Sequence, residues 1–405
     1  MKDKILFISF YNFGYGGLSG GDRIFIELIN GWKEKISVGI MGTKECLKTF
    51  QKYHNTKNIE TFILNSKLSF SKKINNIHYL LHSINCTFLS IKSIFRYKKS
   101  ISKYKYIYSA SDFYPDTIPA FLIKLFFKDK IWIASFYLFA PKPWQKNNPY
   151  KTSFSRFITG TLYWLTQKLT FFIVYYFADY VFVTSKPDVA KFISSKRNKN
   201  KIIIIKGGVD TAPSKNFIQK TNNFKYLAVF IGRLHHQKGV LELIDIWKNV
   251  YQLLPSAKLA IIGNGQLIKD VKYKILKNKL KNNIELFGFL DGKEKFNIFK
   301  TSRIVVHPAI YDSGGMAAAE AMAWGLPGVS FDLKALKTYY PKGMVKTKCF
   351  DLQEFAKNII KLSQNQTYYK KMSEEAKNLI ETKWSWKIRC QEIYNQVFIL
   401  NEKKI

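Results

Sequence analysis

Cysteine is scarce and scattered: Cys46, Cys86, Cys349 and Cys390 are the only four in 405 residues. No two have the spacing of metal ligands, and nothing resembles a disulfide framework. The chain therefore reads as one for a reducing, cytoplasmic compartment. A secretory leader is not expected either. The opening MKDKILFISFYNFG has neither a long apolar run nor a small-residue cleavage site, and is expected to be a first buried strand. Acidic residues are few, 28 against 65 Lys and Arg, for a net charge of +37. Between Lys52 and Lys105 eleven cations face one acid, Glu60. Such an imbalance favours anionic partners, whether nucleotides, lipid phosphates or nucleic acid; a solvated basic surface would carry the same signature.

The hydrophobic fraction, 47%, excludes a disordered chain. The length is too great for one ordinary core and suits two domains of ~150–200 residues. Short β-rich apolar runs alternate with helical patterns. KILFISF, YIYSAS, IWIASFY, YVFVTS and KIIIIKGG read as strands buried on both faces. After a polar interval at 210–225 a second series begins, with YLAVFIGRL, KLAIIGNG, IELFGFL, RIVVHPAI and PGVSFD. The expected fold class is α/β, two doubly wound Rossmann-like domains facing a central cleft. The expected bounds are 1–209, a linker 210–225, 226–383, and a C-terminal helix over 384–405 crossing back to the first domain. The aromatic-rich stretch 150–178 has Gln167 and Lys168 at its centre, which argues against a bilayer span. It reads as a buried helix of the first domain or as a helix lying on a membrane surface.

Three places carry candidate chemistry. In HPAIYDSGGMAAAEAMAWGLPG (307–328) a strand gives way to a glycine turn and an alanine-rich helix, stopped by Gly325 and Pro327. The N–H groups of Ser313, Gly314, Gly315 and Met316 at that helix start form a phosphate site. Glu320, one turn in, suits a ribose diol, or else lies on a solvated face. In FIGRLHHQKGV (230–240) Arg233 and Lys238 occupy a strand–loop–helix junction, where a bidentate guanidinium and an ammonium can hold phosphate. His235 and His236 adjoin them without carboxylates at metal-binding spacing. In YGGLSGGDRIFIEL (15–28) Gly20 and Gly21 open a helix after the first strand. The full G-x-G-x-x-G spacing is missing, so dinucleotide binding and a plain tight turn both remain open.

Together these stretches resemble the retaining nucleotide-sugar glycosyltransferases of the GT-B fold, family 4. The resemblance runs through GGDRIFIEL, ADYVFVTS, IIIIKGGVD, FIGRLHHQKGV, IIGNG, YDSGGMAAAEAMAWGLP and WSWKIRCQEIYNQVF (384–398). It departs from the pattern once, where the first of the two acids is Asp312 and not Glu. The resemblance implies that Asp312 contacts the transferred sugar and Glu320 the ribose. Arg233, Lys238 and the glycine-turn N–H groups would then stabilise the leaving diphosphate without a metal or cofactor. It also implies front-face attack, in which the leaving phosphate takes the acceptor's proton and no enzyme nucleophile is needed. The absence of an Asp-x-Asp motif argues against the metal-dependent alternative fold. Asp112, in SASDFYPD, is an acceptor-side candidate or a helix cap.

The implied partners are a nucleotide sugar, a glycan or lipid-linked acceptor and an anionic membrane surface at the cytoplasmic face, with no nucleic acid. The activity would belong to envelope polysaccharide or glycoconjugate synthesis. Two competing readings are a nucleotide-sugar 2-epimerase of the same fold and a non-enzymatic nucleic-acid-binding protein. The first needs more acid/base residues around the sugar, and the second leaves the carboxylate pair unexplained.

Overall fold

The computed structural model describes residues 3–11, 19–64, 76–145, 148–151, 153–217 and 224–400. By mutual packing the chain divides into two compact units. The first comprises Met1–Trp144, Lys151–Ile205 and Arg389–Ile405; the second comprises Gln145–Tyr150 and Lys206–Ile388. The interval between the two strand series packs with the second unit, where Lys377 donates to the Phe217 carbonyl at 2.9 Å and the Phe217 ring meets Trp324 at 5.1 Å.

The first unit holds a seven-stranded parallel sheet in the order β3-β2-β1-β4-β5-β6-β7. The strands are β1 (Lys4–Ser9), β2 (Ser37–Thr43), β3 (Ile59–Leu64), β4 (Tyr106–Ser109), β5 (Ile131–Ser135), β6 (Tyr180–Val183) and β7 (Ile202–Ile204). The apolar runs form strands because helices cover both faces: Ile5, Leu6, Phe7 and Ile8 of β1 are wholly buried. The helix Gly20–Trp32 starts at a capping box, in which Ser19 Oγ accepts from the Asp22 N–H and the Asp22 carboxylate accepts from the Ser19 N–H. At its other end the Trp32 Nε1–H donates to the Cys390 carbonyl at 2.9 Å. A Cβ on Gly31 would lie 2.5 Å from Cys390 Cβ, so glycine allows the chain's last helical segment to lie against this helix.

The second unit holds a six-stranded parallel sheet in the order β10-β9-β8-β11-β12-β13. Its strands are β8 (Tyr226–Ile231), β9 (Leu259–Ile262), β10 (Ile284–Gly288), β11 (Ser302–His307), β12 (Gly328–Phe331) and β13 (Met344–Thr347). Both sheets reverse winding direction beside their first strand, at β1/β4 and β8/β11. The crevice beyond the carboxyl ends of such a strand pair is where doubly wound sheets take ligands.

The stretch 150–178 forms one helix, Phe154–Phe177, that buries Gln167 and Thr170 while exposing most of its large apolar side chains. Among the described residues no helix is long and apolar enough to cross a membrane.

Candidate functional site

The carboxyl ends of β8 and β11 bring two of the three candidate stretches together. After β8 the chain makes a short turn over His236–Lys238 and enters the helix Val240–Leu253 through Gly239. Gly239 has φ +62°, and a Cβ there would stand 1.8 Å from the Pro308 carbonyl oxygen. Only glycine permits that approach. The two loops are joined by backbone bonds, the Ile310 and Tyr311 N–H groups both donating to the Gln237 carbonyl at 3.0 and 3.2 Å. The loop after β9 supports them from the other side. Leu234 N–H donates to the Asn264 carbonyl at 2.9 Å, and a Cβ on Gly263 would meet Gly232 O at 1.9 Å. The IIGNG turn is therefore a close backbone contact beneath the Arg233 loop.

Asp312 is the centre of the arrangement. Its side chain is buried, and Oδ2 pairs with Lys238 Nζ at 2.5 Å and lies 3.1 Å from His307 Nε2. Oδ1 accepts from the N–H groups of Ser313, Gly314 and Gly315 at 2.8, 3.3 and 3.2 Å. Burial alone would raise the Asp312 pKa; Lys238 and His307 outweigh it and hold the carboxyl well below the usual carboxylate range. Burial conversely lowers the His307 pKa, against the pull of Asp312. The N–H groups of Ser313, Gly314 and Gly315, expected from the sequence to hold phosphate, are thus turned onto the Asp312 carboxylate, because it is the nearest anion. Gly315, at φ +67°, leaves no room for a Cβ beside His307 Nε2, and the Tyr340 hydroxyl donates to the Gly315 carbonyl.

Glu320 sits midway along the helix Met316–Met322, whose Ala318, Ala319, Ala321 and Met322 are buried. Its carboxylate is 40% exposed and pairs with Lys295 Nζ at 2.8 Å through Oε2. Lys295 also reaches Asp291 at 3.0 Å. Burial disfavours the lysine's charge, but Glu320 and Asp291 raise its pKa. Arg233 is exposed, and Met316 lies against Gly207, where a Cβ would come within 2.0 Å of its sulfur.

The remaining candidates lie in the first unit. Gly20 and Gly21 form the first turn of their capped helix, beyond β1; residues 15–18 of that motif lie outside the described residues. Asp112 follows β4. It is buried, accepts from Gln167 Nε2 at 2.7 Å, and has its pKa pushed by burial up to about 6. It caps no helix, since the helix Tyr114–Phe126 begins after Phe113. Asp116, not singled out from the sequence, accepts from the Phe10 N–H at 2.7 Å and from Ser111 Oγ at 2.5 Å, and burial pushes it up to about 7.

Sequence reasoning also missed His307, Lys295 and Tyr340. His307 had a signal, a polar residue ending an apolar strand just before Pro308. Lys295 and Tyr340 had none, because only folding brings their helices to the site. Among the described residues no group of three or more His, Cys, Asp or Glu is placed to hold a metal.

Residues 212–379, the span that carries this geometry, match the model of the family described as glycosyl transferases group 1. That segment is similar to the group 1 glycosyl transferases. A poly(glycerol-phosphate) α-glucosyltransferase of Bacillus subtilis is 29% identical over 182 residues, 44% of this chain and 26% of that protein. An uncharacterized glycosyltransferase of Methanocaldococcus jannaschii is 31% identical over 200 residues, 47% of this chain and 48% of that one. The chain thus spans between about a quarter and a half of the length of these curated relatives. Across the whole chain the fold is GT-B. The crystal structure of Anabaena HepE with UDP and glucose superposes with a TM-score of 0.71 at 15% identity, covering 98% of this chain and 100% of that one. Within the group 1 segment, Arg233, Lys238, Asp312 and Glu320 stand on two adjacent loops and the helix that follows.

Proposed function

We propose that the chain is a retaining, metal-independent glycosyltransferase. It moves a sugar from a nucleoside-diphosphate sugar to a glycan or lipid-linked acceptor of the cell envelope, at the cytoplasmic face of a membrane. The observation that carries this reading is the Lys238–Asp312–His307 cluster, joined to Arg233 and the glycine turn at the β8/β11 crevice of a group 1 segment. The HepE structure, solved with UDP and glucose, supports a nucleotide-sugar donor, and the poly(glycerol-phosphate) α-glucosyltransferase of B. subtilis supports a polymeric acceptor.

Breaking a sugar–phosphate bond builds negative charge on the departing diphosphate and positive charge on the anomeric carbon. Lys238 lies within reach of that charge by exchanging one anionic partner, Asp312, for another, the phosphate. Arg233 adds a fork of donors, while the turn N–H groups of Ser313, Gly314 and Gly315 hold Asp312 in place beside Lys238. Preorganised donors of this kind need no metal. In this reading Asp312, held ionised by Lys238 and His307, faces the positive charge that develops on the sugar. Glu320 uses one oxygen for Lys295 and has another for a ribose hydroxyl. The acceptor's proton leaves with the phosphate, so no side chain is assigned as nucleophile. Asp112 and Gly20–Gly21 are the first unit's contributions to the acceptor and donor in this reading.

A panel of nucleotide sugars, scored by protection from thermal unfolding and then by sugar transfer with and without EDTA, tests the proposal. The expected result is protection by one nucleotide class and transfer that survives chelation. No protection, or epimerisation of the sugar without transfer, would overturn it.

A further inference from the structure

The helix Phe154–Phe177 is packed with its polar side inward. Gln167 is buried and bonds in three directions: its Nε2 donates to Asp112 Oδ2 and to the Leu138 carbonyl, each at 2.7 Å, and its Oε1 accepts from the Ala140 N–H at 2.6 Å. Thr170 is buried beside it, while Ile158, Leu162, Leu165, Leu169, Phe172 and Tyr176 are exposed. Their spacing of four and three residues puts all six on one stripe down the helix. The helix Asn76–Arg96 shows the same inversion. Ser90 and Ser93 are fully buried, their hydroxyls bonded to the Thr87 and Leu89 carbonyls, whereas Leu81, Ile84, Phe88 and Phe95 are exposed. The helix Tyr114–Phe126 lies between the two. Its Phe126 ring is 6.2 Å from Phe95 and its Phe121 ring 4.7 Å from Phe177, so the apolar surface is continuous across three helices.

An exposed apolar surface of this size marks a docking site, and the charge around it selects the occupant. No Asp or Glu occurs between Glu60 and Asp112, or between Asp129 and Asp179. Exposed Lys92, Arg96, Lys98, Lys99, Lys151 and Lys168 flank the stripes. A second copy of this face would meet cations with cations and offers no acid to pair them. Anionic phosphate head groups above hydrocarbon match both features. Trp144, 66% exposed, stands edge-on to Trp164 at 5.3 Å, and Lys168 covers the Trp164 ring at 4.4 Å. Aromatic rings beside cations belong at a head-group boundary.

We infer that the first unit docks on an anionic lipid bilayer through the exposed stripes of the helices Asn76–Arg96 and Phe154–Phe177. Gln167 then links the docked helix to the loops that follow β4 and β5, where Asp112 stands. In tying the docked helix to a membrane-borne acceptor, this rests on the function proposed above; the docking itself does not depend on turnover.

The test is flotation of the full-length chain with phosphatidylglycerol-containing and with pure phosphatidylcholine vesicles. Variants Leu165→Glu/Leu169→Glu and, as a control on the second unit, Leu253→Glu are floated alongside. Wild type and Leu253→Glu are expected to float with anionic vesicles only, and the double variant to lose at least 10-fold in partition. Circular dichroism verifies folding, and Phe172→Ser offers a milder change expected to lose partition in the same direction. Equal flotation of wild type and both stripe variants would overturn the inference. So would a stripe-dependent dimer by light scattering that does not float, or stripe-dependent capture of an acidic protein in place of vesicles. Sugar transfer to a water-soluble acceptor is measured on the same samples. Its failure with intact flotation would reject the function and leave the docking face standing.

Discussion

At the scale of single residues the two acids eight positions apart hold different jobs, and stability separates them. Asp312 is buried and joined to Lys238, His307 and three backbone N–H groups. Removing one member of a buried pair leaves the other charge uncompensated, at a cost of ~3–5 kcal/mol. Glu320 makes a partly exposed pair with Lys295, of a kind worth ~0–1 kcal/mol. Asp312→Ala is therefore expected to lower unfolding free energy by ~3 kcal/mol or more, and Glu320→Ala by ~1 kcal/mol or less while abolishing donor binding. Urea denaturation and nucleotide titration of both variants check this; the reverse order of stability losses would show the roles are misassigned. Lys238 joins the two functions. Lys238→Ala is expected to cut sugar transfer by ~10²-fold or more, as for loss of one charge-stabilising donor, and to leave Asp312 with only His307 and the three N–H groups. Transfer within a few fold of wild type in steady-state assays would remove Lys238 from the mechanism.

At the scale of elements, the junction of β1, β4 and the helix Tyr114–Phe126 gives a pH prediction. Burial raises Asp116 to about 7 and Asp112 to about 6, both above their unfolded values. The folded state therefore holds these protons more tightly than the unfolded chain does. Their contribution to stability is complete below about pH 4 and is lost as pH rises through 6 and 7. Asp116→Asn keeps an acceptor for the Phe10 N–H and a group for Ser111, but cannot ionise. The melting temperature of wild type is expected to fall relative to that of Asp116→Asn between pH 5 and 8, and parallel melting curves would refute the shift. Little of this junction was legible in the sequence, because Asp116 reads as an ordinary first-turn acid until the Phe10 N–H is placed on it. The parallel strands were legible, since residues buried on both faces must all be apolar. Gly314 and Gly315 read as a tight turn open to a ligand, whereas the Tyr339 and His307 rings fill the space beside them. The facing of the helix Phe154–Phe177 was not legible: adjacent Gln167 and Lys168 look alike in the sequence, and only packing shows that one is buried and the other exposed. Lys295 escaped for a similar reason, being one lysine among many until folding sets it beside Glu320.

At the scale of the whole molecule, the residues proposed for the diphosphate and ribose all come from the second unit, while Gly20 and Gly21 belong to the first. Chains of more than one compact unit depart from all-or-none unfolding, so ligand protection can be local. A nucleoside diphosphate at ~100 times its dissociation constant stabilises the unit it binds by ~2.7 kcal/mol, which slows exchange through that unit's opening by ~10²-fold. Hydrogen exchange is expected to slow by that factor in β8, β9, β11 and β12 and in the loops 232–240 and 307–316. Strands β1, β2, β4 and β5 are expected to keep their rates. Ser19–Asp22 is the informative exception, because slowing there and nowhere else in the first unit would place Gly20 and Gly21 on the donor. Equal slowing in both sheets would show instead that the units open as one, and unchanged rates at 307–316 would remove the glycine turn from the binding site. Raising salt adds a further check, because phosphate held by half-buried Lys238 is screened less than anions gathered by the +37 surface. Protection that survives ~0.5 M salt, where the screening length falls below the ~8 Å of physiological strength, therefore belongs to a built site and not to the general charge of the chain.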